Sequence, residues 1–170
     1  MTDFNFPAIP ADIYKEVCSR SLYTIDGVWF LAVEDKYGFD VAFEMNQAVW
    51  RRISPIVGKR LLKNMDMDGK PPLRAVMELI FADPMIHVHK PEVVTLTDSN
   101  AVLRFIECPI QVARIRDGKG VYNGVPGCST PFEAYSELID PRIKAKCNAC
   151  APNPENPEYW CEWELNLPQE

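Results

Sequence analysis

Six cysteines stand in the 170-residue chain, and five of them, Cys108, Cys128, Cys147, Cys150 and Cys161, fall in its second half. Thiolate sulfur is a strong, soft ligand. In a reducing compartment clustered cysteines serve as metal ligands or redox groups more often than as disulfides. Cys147-Asn-Ala-Cys150 has the C-x2-C spacing at which a tight turn lets two sulfurs reach one ion. Cys161 follows across the proline-rich link 151–157, which could fold the chain back on itself. A zinc ribbon would repeat the C-x2-C pair. This chain does not, so a fourth ligand must come from Cys128, Cys108 or a histidine. The spacing predicts a metal site among Cys147, Cys150, Cys161, Cys128 and Cys108, holding zinc or, as the alternative, an iron–sulfur centre. The competing reading makes them inert or redox thiols, small buried hydrophobes in effect.

Other reactive groups are sparse. Glu107 beside Cys108, Glu162 beside Cys161, and Glu164 are the candidate acid–base groups if the cysteines frame a pocket, although a surface strand face explains the last two equally well. His87 and His89, the two histidines, would share one strand face at i, i+2; a solvated face is the commoner meaning of that pattern. Cys18 lies beside Tyr14 and Leu22 on a helical stripe, where burial is the simpler role. No Ser-His-Asp order or Walker loop is present, and Gly118-Lys-Gly-Val-Tyr-Asn-Gly124 has one residue too many for a dinucleotide fingerprint.

Charge narrows the partners. The net −6 and pI near 5.0 argue against nucleic acid, whose phosphates demand clustered Lys and Arg. Between Arg51 and Arg74 the balance is nevertheless +5, which suits either a solvated helix face or, with Arg51 and Arg52 turned inward, a small anionic ligand. The longest apolar run, 28–33, is far too short to span a bilayer, and Met1–Pro7 lacks the features of a signal peptide, so the expected location is the cytoplasm.

The elements that must position these groups divide by periodicity. Apolar residues at helical spacing fill about 10–83; alternating, β-branched stretches broken by Gly and Pro fill about 85–167. A first helix is expected from Pro10 to Tyr37-Gly38, with Gly27 as its weak point, and a second from Asp40 to Ile53. Ser54-Pro55 reads as the start of a third, and Pro72 to Asp83 as a fourth. Strands are expected at Ile86–Thr97, Ala101–Cys108, Ile143–Cys147 and Tyr159–Leu167, a helical turn at 110–116, and a helix starting at Ser129. Trp29, Phe30, Val33, Val49, Trp50 and Ile53 are expected to be buried between helices and sheet, an exposed Trp50 pointing instead to a dimer interface. The composition, 47% hydrophobic and 25% charged, suits one α+β domain over residues 1–170, monomer or homodimer, its N-terminal helices packed on an antiparallel sheet from the C-terminal half. Any ligand pocket should lie where the helical layer meets the cysteine-bearing end of that sheet.

A set of motifs adds a resemblance. In order along residues 22–165 they are Asp26-Gly-Val-Trp-Phe-Leu, Tyr37-Gly, Val49-Trp50, Cys108-Pro-Ile-Gln-Val-Ala-Arg114, Cys128, Asp140-Pro-Arg-Ile, and Cys147-Asn-Ala-Cys150 leading to Trp160-Cys-Glu-Trp-Glu164. Together they resemble a family of small cytosolic proteins with this cysteine motif, akin to the L-2-amino-thiazoline-4-carboxylate hydrolase family. More distantly, the chain is similar to the 4-vinyl-reductase domain, an α+β ligand-binding module with cysteines near its C-terminus. The hydrolase resemblance implies attack of water on a cyclic amidine carbon, opening a thiazoline ring to an N-carbamoyl amino acid. The C-x2-C pair and the Cys-Glu-Trp-Glu strand depart from that pattern, so the substrate does not carry over. Three functions follow as expectations: a small-molecule hydrolase with cysteine-bound zinc, a non-catalytic small-ligand sensor or carrier, and a structural-metal or redox-thiol protein.

Overall fold

Helical spacing of apolar residues in the first eighty positions produces three long helices. The computed structural model describes residues 8–152 and 158–168, so most of the proline-rich link lies outside the described residues. The first helix, α1, spans Ala11–Tyr37 and runs through Gly27 unbroken. It stops at Gly38, whose φ of +90° few other residues adopt, and the chain turns directly into α2, Phe39–Leu62. The expected break at Ser54-Pro55 is absent: one helix passes through both, with Pro55 inside it. Packing outweighs the hydrogen bond that proline forfeits. Beside it Gly58 brings α2 so close to α5, Val125–Ile139, that an added Cβ would meet Leu138 at 2.7 Å and Tyr135 at 3.0 Å.

The third helix, α3, is Pro72–Ala82, and Leu73, Val76, Leu79 and Ile80 are fully enclosed on it. The strand expected from Ile86 begins late. Residues Ile86–His89 form a single 3-10 turn, and β1 is Pro91–Leu96. Two local causes act together: the Asp83 carboxylate accepts the Met85 N–H at 2.9 Å, curling the chain back so that Ile86 enters the core, and Lys90 takes the left-handed conformation that ends the turn. From there β2 spans Asn100–Phe105, α4 Pro109–Arg116, β3 Lys144–Ala149 and β4 Cys161–Asn166. Helix α5 starts at Val125, four residues before the expected Ser129, because Pro126 suits a first turn and the Cys128 N–H bonds back to the Gly124 carbonyl at 2.8 Å.

The four strands pair antiparallel in the order β1-β2-β4-β3, so the fold is α+β. Alternation along the two central strands sends Ala101, Leu103, Phe105, Trp163 and Leu165 to one face, where α3 and α5 cover them. The α1–α2 hairpin reaches the body of the protein mainly through α2 on α5. That arrangement corrects the burial expected of the hairpin. Phe30 is buried and Val33 and Trp50 are half-buried, but Trp29, Val49 and Ile53 are 42%, 46% and 40% exposed. Helices α3 and α5 already occupy the sheet face those side chains would have needed. Among the described residues no helix is long and apolar enough to cross a membrane.

Candidate functional site

The hairpin leans over the cysteine-bearing end of the sheet without filling the space beneath it. A cavity of about 540 Å³ remains between α1, α2, the 3-10 turn, α4, α5 and the start of β4. The hairpin contributes Tyr23, Asp26 and Phe30 from α1 and Phe43, Asn46 and Trp50 from α2, each set at helical spacing. Phe105, Phe132, Trp160 and Trp163 form the opposite wall. The lining is mainly apolar, with a few polar groups turned inward.

Four thiols, Cys108, Cys128, Cys150 and Cys161, line this one cavity, each delivered by a different element. Cys108 caps α4, Cys128 sits in the first turn of α5, Cys150 follows β3 and Cys161 opens β4. A methyl group placed on Gly124 would meet Cys128 Sγ at 3.3 Å and Cys150 Sγ at 3.8 Å, so glycine there leaves both sulfurs open to one spot. Cys147 stands outside the lining. It belongs to β3, opposite Trp163, so the C-x2-C segment straddles a strand end instead of forming a tight turn. Its Sγ donates to the Ala149 carbonyl at 3.3 Å.

Burial raises the pKa of every one of these thiols, and for most of them the neighbouring sulfurs add to the rise. Cys108 and Cys147 are pushed up to about 11, and Cys128 and Cys161 higher still. Cys150 is raised too, but there the backbone N–H groups of Gly124 and Ala151 and the Cys147 thiol favour the ionised form. Among the described residues the fully enclosed Trp163 indole N–H has no hydrogen-bond partner, and it lies where it would stabilise a Cys161 thiolate. Among the described residues no group of three or more His, Cys, Asp and Glu side chains is gathered tightly enough to hold a metal ion.

Polar groups meet the cavity from the hairpin side. His89 Nδ1 lies 3.2 Å from the Glu107 carbonyl, which can only accept, so this nitrogen carries the proton. Nε2 is then the acceptor for the Tyr23 hydroxyl at 2.6 Å. Burial pushes the His89 pKa down to about 4 and that of Tyr23 well up. The Asp26 carboxylate accepts the Asn46 side-chain N–H at 2.8 Å and is also hydrogen-bonded to Trp50; burial raises its pKa against both. Arg114 is held by Glu34 at 2.7 and 3.3 Å, over the rings of Phe30, Phe39 and Tyr122.

The remaining expected residues lie elsewhere. Glu107 pairs through its side chain with Lys90, Glu162 with Arg104 at 2.7 Å, and Glu164 with Asn100; none lines the cavity. Arg51 and Arg52 are exposed, and Cys18 is half-buried away from the cavity. His87 and His89 do not share a face. Three residues per turn in the 3-10 segment send His87 outward to Lys15 at 2.9 Å and His89 inward to Tyr23. Sequence reasoning assigns no role to Tyr23, Asp26, Asn46 or Arg114, although Asp26 and Arg114 stand at the ends of two of the motifs. Their signal was a polar residue interrupting an otherwise apolar helical stripe.

The model of one protein family, a family of unknown function designated DUF6125, matches residues 11–167. No curated protein and no solved structure matches the chain.

Proposed function

The chain belongs to that family over nearly its whole length, and we propose that it is a small-molecule-binding protein whose ligand occupies the cavity under the α1–α2 hairpin. One observation carries this reading: about 540 Å³ of mainly apolar space, walled by aromatic rings and approached by a few fixed polar groups. Pockets of that size and lining are the usual form of a small-ligand site. Gly27 supplies the test. It lines the cavity, sits within α1, and an added Cβ there would touch nothing within 4 Å. Gly27→Leu should therefore fill the mouth while favouring the helix by roughly 0.5–1 kcal/mol. Wild-type protein should bind the neutral fluorophore N-phenyl-1-naphthylamine saturably, and Gly27→Leu should weaken that binding at least tenfold without lowering the melting temperature. Absence of saturable binding, or equal binding by the variant, overturns the reading.

A second reading concerns the thiols. Four sulfurs around one cavity, with the unpartnered Trp163 N–H beside Cys161, favour a soft metal ion as part of the site, zinc or an iron–sulfur centre. Cys108, Cys128, Cys150 and Cys161 would hold it, after closing on one another, and an indole N–H is the outer-shell donor that a bound thiolate accepts. Metal analysis of untagged protein purified without chelator should then give one equivalent, lost in Cys150→Ser; metal-free wild-type protein that also fails to take up added zinc excludes it. Hydrolysis at such a centre would need a carboxylate in the cavity; Asp26 and Asp117 line it, Glu107 and Glu162 do not, and Asp117 is paired with Arg116, which leaves Asp26.

A further inference from the structure

We propose that the cavity takes an organic ammonium ion, with the Asp26 carboxylate as its counter-charge and the rings of Phe43 and Trp50 as its walls. This rests on the cavity reading above and specifies the class of ligand. Every guanidinium at the cavity already has an acid: Arg20 has Glu16, Arg114 has Glu34 and Arg116 has Asp117. Asp26 has neutral hydrogen-bond donors, Asn46 and Trp50, and no ion pair is formed with it among the described residues. A carboxylate offers about four lone-pair positions, so two donors leave capacity unused.

Tyr23 points to the same ligand chemistry. Its hydroxyl proton is directed to His89 Nε2, because the Glu107 carbonyl holds the histidine proton on Nδ1. The phenol oxygen can therefore offer the cavity only lone pairs. Asp26 follows three residues later on the same face of α1, so two acceptors stand side by side. A ligand that satisfies both must bring hydrogen-bond donors, and one that also neutralises Asp26 must bring positive charge, which an ammonium N–H group supplies together. Aromatic faces attract such a cation further, and Phe43 and Trp50 line the cavity from α2. Burial raises the Asp26 pKa, the cost that a bound ammonium would remove.

Three probes of similar shape separate the charges: benzylamine, benzyl alcohol and benzoate, titrated by calorimetry at pH 7.5. Benzylamine should bind at least tenfold more tightly than benzyl alcohol, and benzoate most weakly. Asp26→Asn should bring benzylamine to within about twofold of the alcohol. Should that variant fail to fold, Tyr23→Phe should still weaken benzylamine severalfold, and the wild-type order alone decides the charge. Alcohol or benzoate equal to benzylamine overturns the ammonium assignment, as does binding of the naphthylamine fluorophore with none of the three. Failure of all four overturns the cavity reading as well.

Discussion

His89 makes the stability of this protein depend on pH in a way that can be worked out in advance. Its ring sits between Tyr23 and Phe105, donates from Nδ1 to the Glu107 carbonyl and accepts from Tyr23 at Nε2, so both nitrogens are occupied in the neutral form. Burial lowers its pKa from 6.5 to about 4. In the unfolded chain His89 takes up a proton as pH falls through 6.5, whereas the folded protein resists until about 4. The unfolded state therefore binds more protons across that window, and stability is lost as pH falls. Between pH 7.5 and pH 5.0 the loss is about 2 kcal/mol, reaching about 3 kcal/mol once both states are protonated. Urea unfolding of the wild type and His89→Gln at the two pH values isolates the effect, because Gln can still accept from Tyr23 but does not titrate. The wild type should lose about 2 kcal/mol more than the variant on acidification. Asp26, whose raised pKa acts in the opposite direction, is present in both proteins and cancels. Parallel losses in the two proteins would show that His89 is not held neutral, and the acceptor role given to Tyr23 would fall with it.

Arg114→Ala should cost about 3 kcal/mol in chemical denaturation, the lower end for a broken buried pair, since Glu34 keeps only Lys119, at 3.9 Å; the Arg114 and Glu34 side chains are 8% and 11% exposed. The double variant with Glu34→Gln should recover part of that loss. Gly58→Ala should destabilise by about 1 kcal/mol net, the overpacking against Tyr135 and Leu138 exceeding the gain in helix propensity, as a melting curve would show. Iodoacetamide mapping should find Cys150 alkylated before Cys128 and Cys161, because donors from Gly124, Ala151 and Cys147 counter its burial. Labelling of the three at equal rates would contradict that order.

Periodicity made the fold class legible, and it failed where two local preferences competed. The 3.6-residue spacing of α1 and α3 located both helices closely, since Pro10, Gly38, Pro72 and Pro84 punctuate them. Pro55 read as a helix start because a Ser-Pro pair usually is one. Nothing local announces that Gly58, three residues on, will lie against α5 and hold the helix through. The alternation of Ile86, Val88 and Lys90 against His87 and His89 suits a strand as well as a turn, and the Asp83 carboxylate decided it by capturing the Met85 N–H. Secondary structure there follows from one side-chain hydrogen bond, which periodicity does not register.

The site was legible in its residue type and obscure in its geometry. Cysteine content points to the end of the sheet where four thiols, Cys150 among them, line one cavity, but spacing does not show that Cys147 stands outside the lining: the C-x2-C pair suggests a turn, and β3 extends past Cys147 to Ala149. The hairpin half of the site was hidden for a more general reason. An amphipathic helix advertises one apolar stripe, and burial is assigned to it; α1 and α2 each carry two. One, through Phe30, Phe43 and Trp50, faces the cavity and is interrupted by Tyr23, Asp26 and Asn46. The other, through Ile25, Trp29, Val49 and Ile53, is left exposed. When both sides of a helix are apolar, hydrophobicity cannot say which side the protein itself covers. The polar interruptions can: a carboxylate flanked by aromatic residues is costly to bury unless something is to be bound there, and that cost marks the inner side of the hairpin.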